Sequence, residues 1–291
     1  MAAVRLLVVG DIAWDILLRP ERDLIWGSDV FGTVELLPGG SAANVAVWAC
    51  RLGASVTLAS KVGDDALGEL MRRHLATEGI DSRVITVPGG LTTRVGIYVG
   101  SDGEHAFITD HTQALRFERG DVPVSLLDRT DAVFVNGYAI FMSESAAFLA
   151  DLLPAARDRG VRIAFDPSSF ALIEWYGAAR LLEDLGPIDV LLANDDEVRA
   201  LAGGRPIGAL EERAGLVVAK QGPKGASAFE KGRRLSVPAI PVNVVDTTGA
   251  GDGFDAAFLV EYLQHGNVEL ALAAGNRLGA HVAGRLGAQT R

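Results

Sequence analysis

Six short, largely apolar runs recur along the chain: Val4 to Val9, Val56 to Ala59, Ala132 to Val135, Val161 to Phe165, Val190 to Ala193 and Leu216 to Ala219. Helix-length segments fill most of the gaps. Such runs, without polar alternation, mark strands buried on both faces. The pattern therefore predicts a mostly parallel sheet covered on both sides by helices and joined by right-handed crossovers. Helices are predicted over Ala43 to Leu52 and Ala66 to Glu78, closed by Gly53 and Gly79 where a left-handed cap belongs. Two stretches break the rhythm. Glu21 to Leu37 and Thr92 to Asp110 carry β-formers and turn signals, among them Ser101-Asp102-Gly103, without a helical period. They predict a small β-sheet lid, in segments at about 12–37 and 92–110, on a single α/β domain spanning residues 1–291. A lid at the carboxyl ends of the strands would cover the crevice where open sheets hold ligands.

Composition narrows the class. With 49% hydrophobic and 22% charged residues the chain can bury a large core, and its 34 glycines must serve geometry. Twenty-seven Lys plus Arg against 37 Asp plus Glu give a net charge of −10, and no basic run offers the footprint of a nucleic-acid binder. One cysteine, Cys50, excludes an intrachain disulfide, and five scattered histidines give no zinc spacing, which fits a reducing cytoplasm. No apolar run approaches a membrane span. Asp11 and Asp15 interrupt the apolar N-terminus too early for a secretory leader, so a cytoplasmic protein is expected.

The most informative segment is Asp246-Thr247-Thr248-Gly249-Ala250-Gly251-Asp252-Gly253-Phe254, followed by an apolar stretch that reads as a helix. Closely spaced glycines let a ligand approach the backbone, and a helix start presents unpaired N–H groups, so the segment predicts an anion site. Asp252 in the first turn would accept the proton of an attacking hydroxyl; offsetting the helix dipole explains the same residue equally well. Gly39-Gly40-Ser41-Ala42-Ala43-Asn44 enters the first helix, where Asn44 offers both donor and acceptor to sugar hydroxyls. Asp11 and Asp15 follow the first strand, where a crevice should open. A plain helix start and a solvated loop are the structural alternatives for these two segments.

Taken together, the two glycine-rich segments resemble the signatures of the ribokinase-like, or PfkB, family of carbohydrate kinases. The first signature is matched by Gly39 to Asp65 and the second by Asp246 to Val260. The resemblance implies a ribokinase-like three-layer α/β sandwich with a β-lid, ATP as phosphoryl donor, Mg2+, and transfer to a primary alcohol. By the same resemblance Asp252 is the catalytic base, and Gly249, Ala250 and Gly251 hold the transferring phosphoryl group with their amides. Asp15, Gly39, Gly40 and Asn44 match sugar-contacting positions. Asn194 and Glu197 match an element that organises magnesium and phosphate through water, although without the family they read as a helix start. Lys220, Gly222 and Gly225 fall at a nucleotide-side turn, and Asn276 near the adenine. Carbonyls near Asp246 and Thr248 match a monovalent cation site, K+ in some relatives. Lid edges in relatives often pair, so a homodimer through the lid is expected.

Residue-level chemistry agrees in one respect: no G-x-x-x-x-G-K-[ST] motif is present, so triphosphate binding must rest on helix-terminus amides. A carboxylate at a helix N-terminus has its ionised form favoured, which predicts a weak base that takes its proton late. The lack of G-x-G-x-x-G around Gly10, and of an acidic residue placed for a ribose about 20 residues later, argues against a Rossmann dehydrogenase. The expected activity is phosphorylation of a small neutral pentose or hexose. A nucleoside kinase, a 2-keto-3-deoxygluconate kinase and a non-catalytic sugar-binding regulator are the alternatives. A sugar acid would call for Arg94 or Arg116 in the pocket, and a nucleoside for an aromatic platform among Trp14, Phe31, Phe107, Phe141 and Trp175. Asn136 to Tyr138 and Asp166 to Ser169 are expected to line the acceptor pocket.

Overall fold

The computed structural model describes residues 3–100, 105–110 and 115–290; the expected turn at Ser101-Asp102-Gly103 lies outside them. Strand β1 (Arg5–Val9) leads directly into lid strands β2 (Ala13–Pro20) and β3 (Gly32–Gly39). Helix α1 (Ser41–Arg51), β4 (Ser55–Gly63), α2 (Ala66–Thr77) and β5 (Asp81–Val87) return to the main sheet, and β6 (Arg94–Val99) and β7 (His105–Thr109) complete the lid. The alternation then resumes through β8 (Ala132–Asn136), α3 (Gly137–Ser143), α4 (Leu152–Asp158), β9 (Arg162–Asp166), α5 (Phe170–Tyr176) and α6 (Ala178–Leu185). It ends with β10 (Ile188–Asn194), α7 (Asp195–Ala202), β11 (Ala214–Lys220), β12 (Ala226–Glu230), β13 (Arg233–Val237), α8 (Ala250–His265) and α9 (Val268–Ala283).

All six predicted runs are strands of one sheet in the order β13-β12-β11-β10-β9-β8-β1-β4-β5. It is parallel from β11 to β5, and β12 and β13 add an antiparallel edge. The alternation of side chains divides the core in two. Leu6 and Val8 face a cluster with α1, α2, α8 and α9, whereas Leu7 and Val9 face one built with α3 to α7. Gly53 and Gly79 close the first two helices at φ 91° and 77°. Helix α1 begins two residues earlier than its apolar pattern suggests, because the Asp11 carboxylate accepts from the amides of Ser41 and Ala42 at 3.1 and 3.0 Å and caps it from another strand end.

The lid is a separate sheet, β3-β2-β6-β7. Its first segment is made by Ala13–Pro20 and Gly32–Gly39, with 21–31 as the connection rather than strand. One lid face, with Asp15, Val95, Ile97 and Phe107, looks at the crevice; the other exposes Leu18, Val34, Leu36 and Ile108. No helix among the described residues is long and apolar enough to cross a membrane.

Candidate active site

The turn before α8 is held by Asp246, whose carboxylate accepts from Thr248 N and Gly287 N, both at 2.9 Å. Gly249 caps the helix at φ 76°, and a Cβ there would lie 2.3 Å from the Ala288 Cβ, so glycine is required on both counts. The first-turn amides and the positive end of the helix dipole face the junction of two cavities that share Thr247 and Gly251. The Thr248 hydroxyl is buried without a partner among the described residues, as a ligand-facing group would be.

On one side lies a cavity of about 430 Å3 between the sheet and the lid. Asp15, Gly40, Asn44 and Asp252 line it, together with Asp11, Thr93, Tyr138, Ser168 and the apolar Ile97, Phe107 and Met142. Asp252, half-buried, accepts from Asn44 Nδ2 at 2.7 Å. Gly40 adopts φ 90°, and Gly39 stays out of the wall for a specific reason: its missing Cβ would fall 2.3 Å from Asp15 Oδ2. Asp15 can face the cavity only because Gly39 is bare.

The electrostatics correct one expectation. Burial pushes the Asp252 carboxyl up to about 7; repulsion from Asp166 adds to this, while the Asn44 bond and Lys220 oppose it. Desolvation thus outweighs the helix dipole, and Asp252 is a stronger base than its place at a helix start suggests. Asp15 is likewise pushed up to about 7 by burial and then by Asp11, Asp252 and Asp246.

Four predicted residues, Asn136, Asp166, Asn194 and Lys220, are the last residues of β8, β9, β10 and β11, with Asn136 paired to Asp166 and Asn194 to Lys220. Asn136 and Asp166 do not line the acceptor cavity as expected. Asn136 caps α3 through Tyr138 N at 2.9 Å and donates to Ser168 Oγ at 2.7 Å, and Asp166 accepts from Ser168 N at 2.6 Å. The wall is formed by Tyr138 and by Ser168, held at φ 63°, with the two buried polar residues behind it. Asn194 and Glu197 form a reciprocal cap on α7: Asn194 accepts from Glu197 N at 2.9 Å, and the Glu197 carboxylate accepts from Asn194 N and Nδ2 at 2.8 Å. Glu197 is buried, which pushes it up to about 7 with help from Asp166.

Behind the α8 turn Lys220 donates to Asp166, and to both oxygens of Asp255 at 3.0 Å. Burial opposes charge on all three. The carboxylates nevertheless hold the Lys220 ammonium above its ordinary value, and Asp166 is held below the usual carboxylate range by Lys220 and by hydrogen bonds from its neighbours. Asp255 is pushed well above that range by burial and by Asp166, so the two carboxylates titrate as a pair around the one Lys220 charge. Asp255 carries no motif role in the sequence reading. Its place three residues after Asp252, on the same side of a helix, was the available signal.

The second cavity, about 590 Å3, is mainly apolar and is lined by Lys220, Gly222, Gly225, Ile240, Phe254 and Asn276 among others. Gly225 is at φ 97° with backbone so close that a Cβ would meet Val237 O at 2.1 Å. Asn276 donates to the carbonyls of Val237 and Pro238, both at 3.1 Å, fixing the cavity rim. Of the residues considered for substrate discrimination, Arg94 pairs with Asp110 and Arg116 with Glu144, and neither lines the acceptor cavity. Phe107 lines it; Trp14 and Phe141 are buried in the core, and Phe31 and Trp175 face solvent.

A polar cavity under a lid and an apolar one, meeting at the N-terminus of a helix beside a poised carboxyl, define an enzyme that passes an anionic group between two bound molecules. The pfkB family carbohydrate kinase profile matches residues 5–291, and the chain belongs to that family: it is an ATP-dependent sugar kinase. It is 33% identical over 99% of its length to an ATP-dependent ribose-1-phosphate kinase of Halopiger xanaduensis, covering 94% of that protein. It is 28% identical to a probable fructokinase-5 of Arabidopsis thaliana, over 84% of this chain and 81% of that one. The crystal structure of an adenosine kinase from Sinorhizobium meliloti superposes with a TM-score of 0.89, at 24% identity over 99% of this chain and 96% of the other.

Proposed function

We propose that the protein transfers the γ-phosphoryl group of ATP to a primary hydroxyl of a small neutral pentose or hexose, with Asp252 accepting the hydroxyl proton. The observation that carries this reading is the meeting of the two cavities at Thr247 and Gly251, with Asp252 on the acceptor side only. Carboxylates, hydroxyls and an amide suit a polyol, and no Arg or Lys is found among the described residues lining the acceptor cavity, which disfavours a sugar acid.

The donor side fits ATP by the chemistry of its groups. The apolar cavity takes a base, with Asn276, Gly222 and Gly225 at its rim, and the amides of Gly249 and Gly251 suit a terminal phosphate, whereas that of Ala250 donates to Thr247 O at 3.1 Å. Lys220 also lines that cavity, its ammonium held by Asp166 and Asp255. Asn194 and Glu197 bond chiefly to each other and to their own backbone, so they would hold Mg2+ through water, as suits an ion that keeps much of its hydration. Bound MgATP supplies the electrophilic phosphorus and neutralises charge on the phosphates. The protein's own residues do the rest: Asp15 and Asn44 fix the hydroxylated acceptor, the lid excludes water, and Asp252 orients one hydroxyl and takes its proton. Carbonyls near Asp246 and Thr248 are the place for a K+ ion. The exposed apolar face of the lid, with Leu18, Val34, Leu36 and Ile108, is the surface for pairing with a second copy.

The test is ADP release across pentoses, hexoses, keto-deoxy acids and nucleosides. Turnover with a neutral sugar supports the proposal. Turnover confined to nucleosides would move the reading to the Phe107 wall as a base platform, and nucleotide binding without turnover on any acceptor would favour a regulator.

A further inference from the structure

Asn44 is held at both ends of its amide. Nδ2 donates to Asp252 Oδ2 at 2.7 Å, and Oδ1 accepts from Gln289 Nε2 at 2.8 Å. Gln289 Oε1 in turn lies 2.6 Å from His74 Nε2. The polarity of the row is forced from its inner end. An ionised Asp252 has only acceptors, so Asn44 must turn its NH2 toward it and its oxygen outward; that oxygen needs a donor, so Gln289 must present its NH2 and leave its own oxygen to a ring N–H of His74. Each group donates inward, toward the carboxylate. Asn44 and Gln289 are buried, at 3% and 8% exposure, where an amide turned the wrong way would lose both bonds.

Gln289 is itself anchored. Its carbonyl accepts from Arg51 Nη1 at 3.0 Å, Ala288 O accepts from Trp48 Nε1 at 2.8 Å, and Gly287 N donates to Asp246. The segment 287–290 therefore ties α1, which carries Asn44, to the turn that enters α8, whose first turn carries Asp252. From this row of bonds we propose that Gln289 is a positioning residue for phosphoryl transfer: it fixes the orientation of the Asn44 amide, and through it the direction and basicity of the Asp252 carboxylate. The proposal rests on the reading of Asp252 as the base. The titratable and charged groups facing Asp252 are Asp11, Asp15, Tyr138, Asp166, Glu197 and Lys220, and His74 ends the row, so a neutral substitution of Gln289 reaches Asp252 through Asn44.

The experiment uses the full chain and the neutral sugar it turns over best. Gln289→Leu lowers kcat about tenfold, leaves KM for ATP within twofold, and moves the acid limb of the kcat/KM profile for the sugar upward, because a loosened Asn44 no longer favours the ionised carboxyl. Gln289→Glu keeps the shape, so it serves if the leucine variant is unstable. Ionised, it offers Asn44 only acceptors, and the loss is larger than for leucine. In an Asn44→Ala background Gln289→Leu adds less than twofold, since the residue acts through Asn44. An unshifted acid limb in both Gln289 variants, or an undiminished effect of Gln289→Leu in the Asn44→Ala background, overturns the proposal. Asp252→Asn, measured alongside, separates the two readings: full turnover in that variant removes the base itself, whereas its loss with normal Gln289 variants removes only the positioning role.

Discussion

Replacing Lys220 by methionine keeps most of the side-chain volume and removes the one positive charge that Asp166 and Asp255 share. Their side chains are 5% and 0% exposed, so no solvent can take its place. Removing one partner of a buried ion pair costs about 3–5 kcal/mol. The structure also sets a ceiling. Asp166 can escape by taking a proton, and from its ordinary value of 3.8 that costs about 5 kcal/mol at pH 7.5 and about 2 kcal/mol at pH 5.5. The sign follows directly. In the native protein Asp166 lies below 3.8, so its contribution is present above that pH and lost in acid; in Lys220→Met its value is raised, so stability is lost as pH rises. Urea unfolding should therefore show a loss of about 4–5 kcal/mol at pH 7.5, shrinking by about 2–3 kcal/mol at pH 5.5. Asp255→Asn should cost less than Lys220→Met, because burial and Asp166 both oppose charge on Asp255. An equal loss at both pH values, or a cost for Asp255→Asn matching that of Lys220→Met, would refute the charge assignment.

With Asp252 and Asp15 both pushed up to about 7, turnover should fall as pH drops below 7 while thermal stability falls as pH rises through 7; the combined Asp15→Asn and Asp252→Asn protein should lose the second slope in a melting series. Gly39→Ala places a methyl 2.3 Å from Asp15 Oδ2, so KM for the sugar should rise about tenfold or more with ATP binding unchanged, which steady-state kinetics and calorimetry would check. Ile108→Lys with Val34→Asp should convert a dimer to a monomer in sedimentation, and a monomeric native protein would remove the lid interface.

The parallel sheet was legible because Leu7, Val8 and Val9 and their counterparts are buried from both sides, and that leaves no polar position in the run. Strand Ala13–Pro20 follows β1 too closely to stand apart by pattern, and Arg19 and Pro20 blur its end. Asp252, Asp15 and Asn44 line the acceptor cavity beside the glycine-rich turns, which announce where backbone is approached. The fate of Asn136 and Asp166 was not legible. Both end strands at the crevice, but whether a strand-end polar side chain faces the ligand or supports its neighbour depends on Ser168, whose positive φ turns it into the wall. Gln289 and Asp255 were equally hidden, because their partners lie 245 and 35 residues away. The raised Asp252 followed from burial, which sequence spacing does not carry.

In the proposed reaction Asp252 takes the proton of a sugar hydroxyl as phosphate arrives from the far side of the α8 turn. The direct measurement is sugar-dependent ADP release by the native protein and by Asp252→Asn, with ATP affinity measured on both. The native protein should phosphorylate a primary hydroxyl, and turnover should be lower by about two to four orders of magnitude in the variant with ATP affinity nearly unchanged. Near-normal turnover in Asp252→Asn would contradict it.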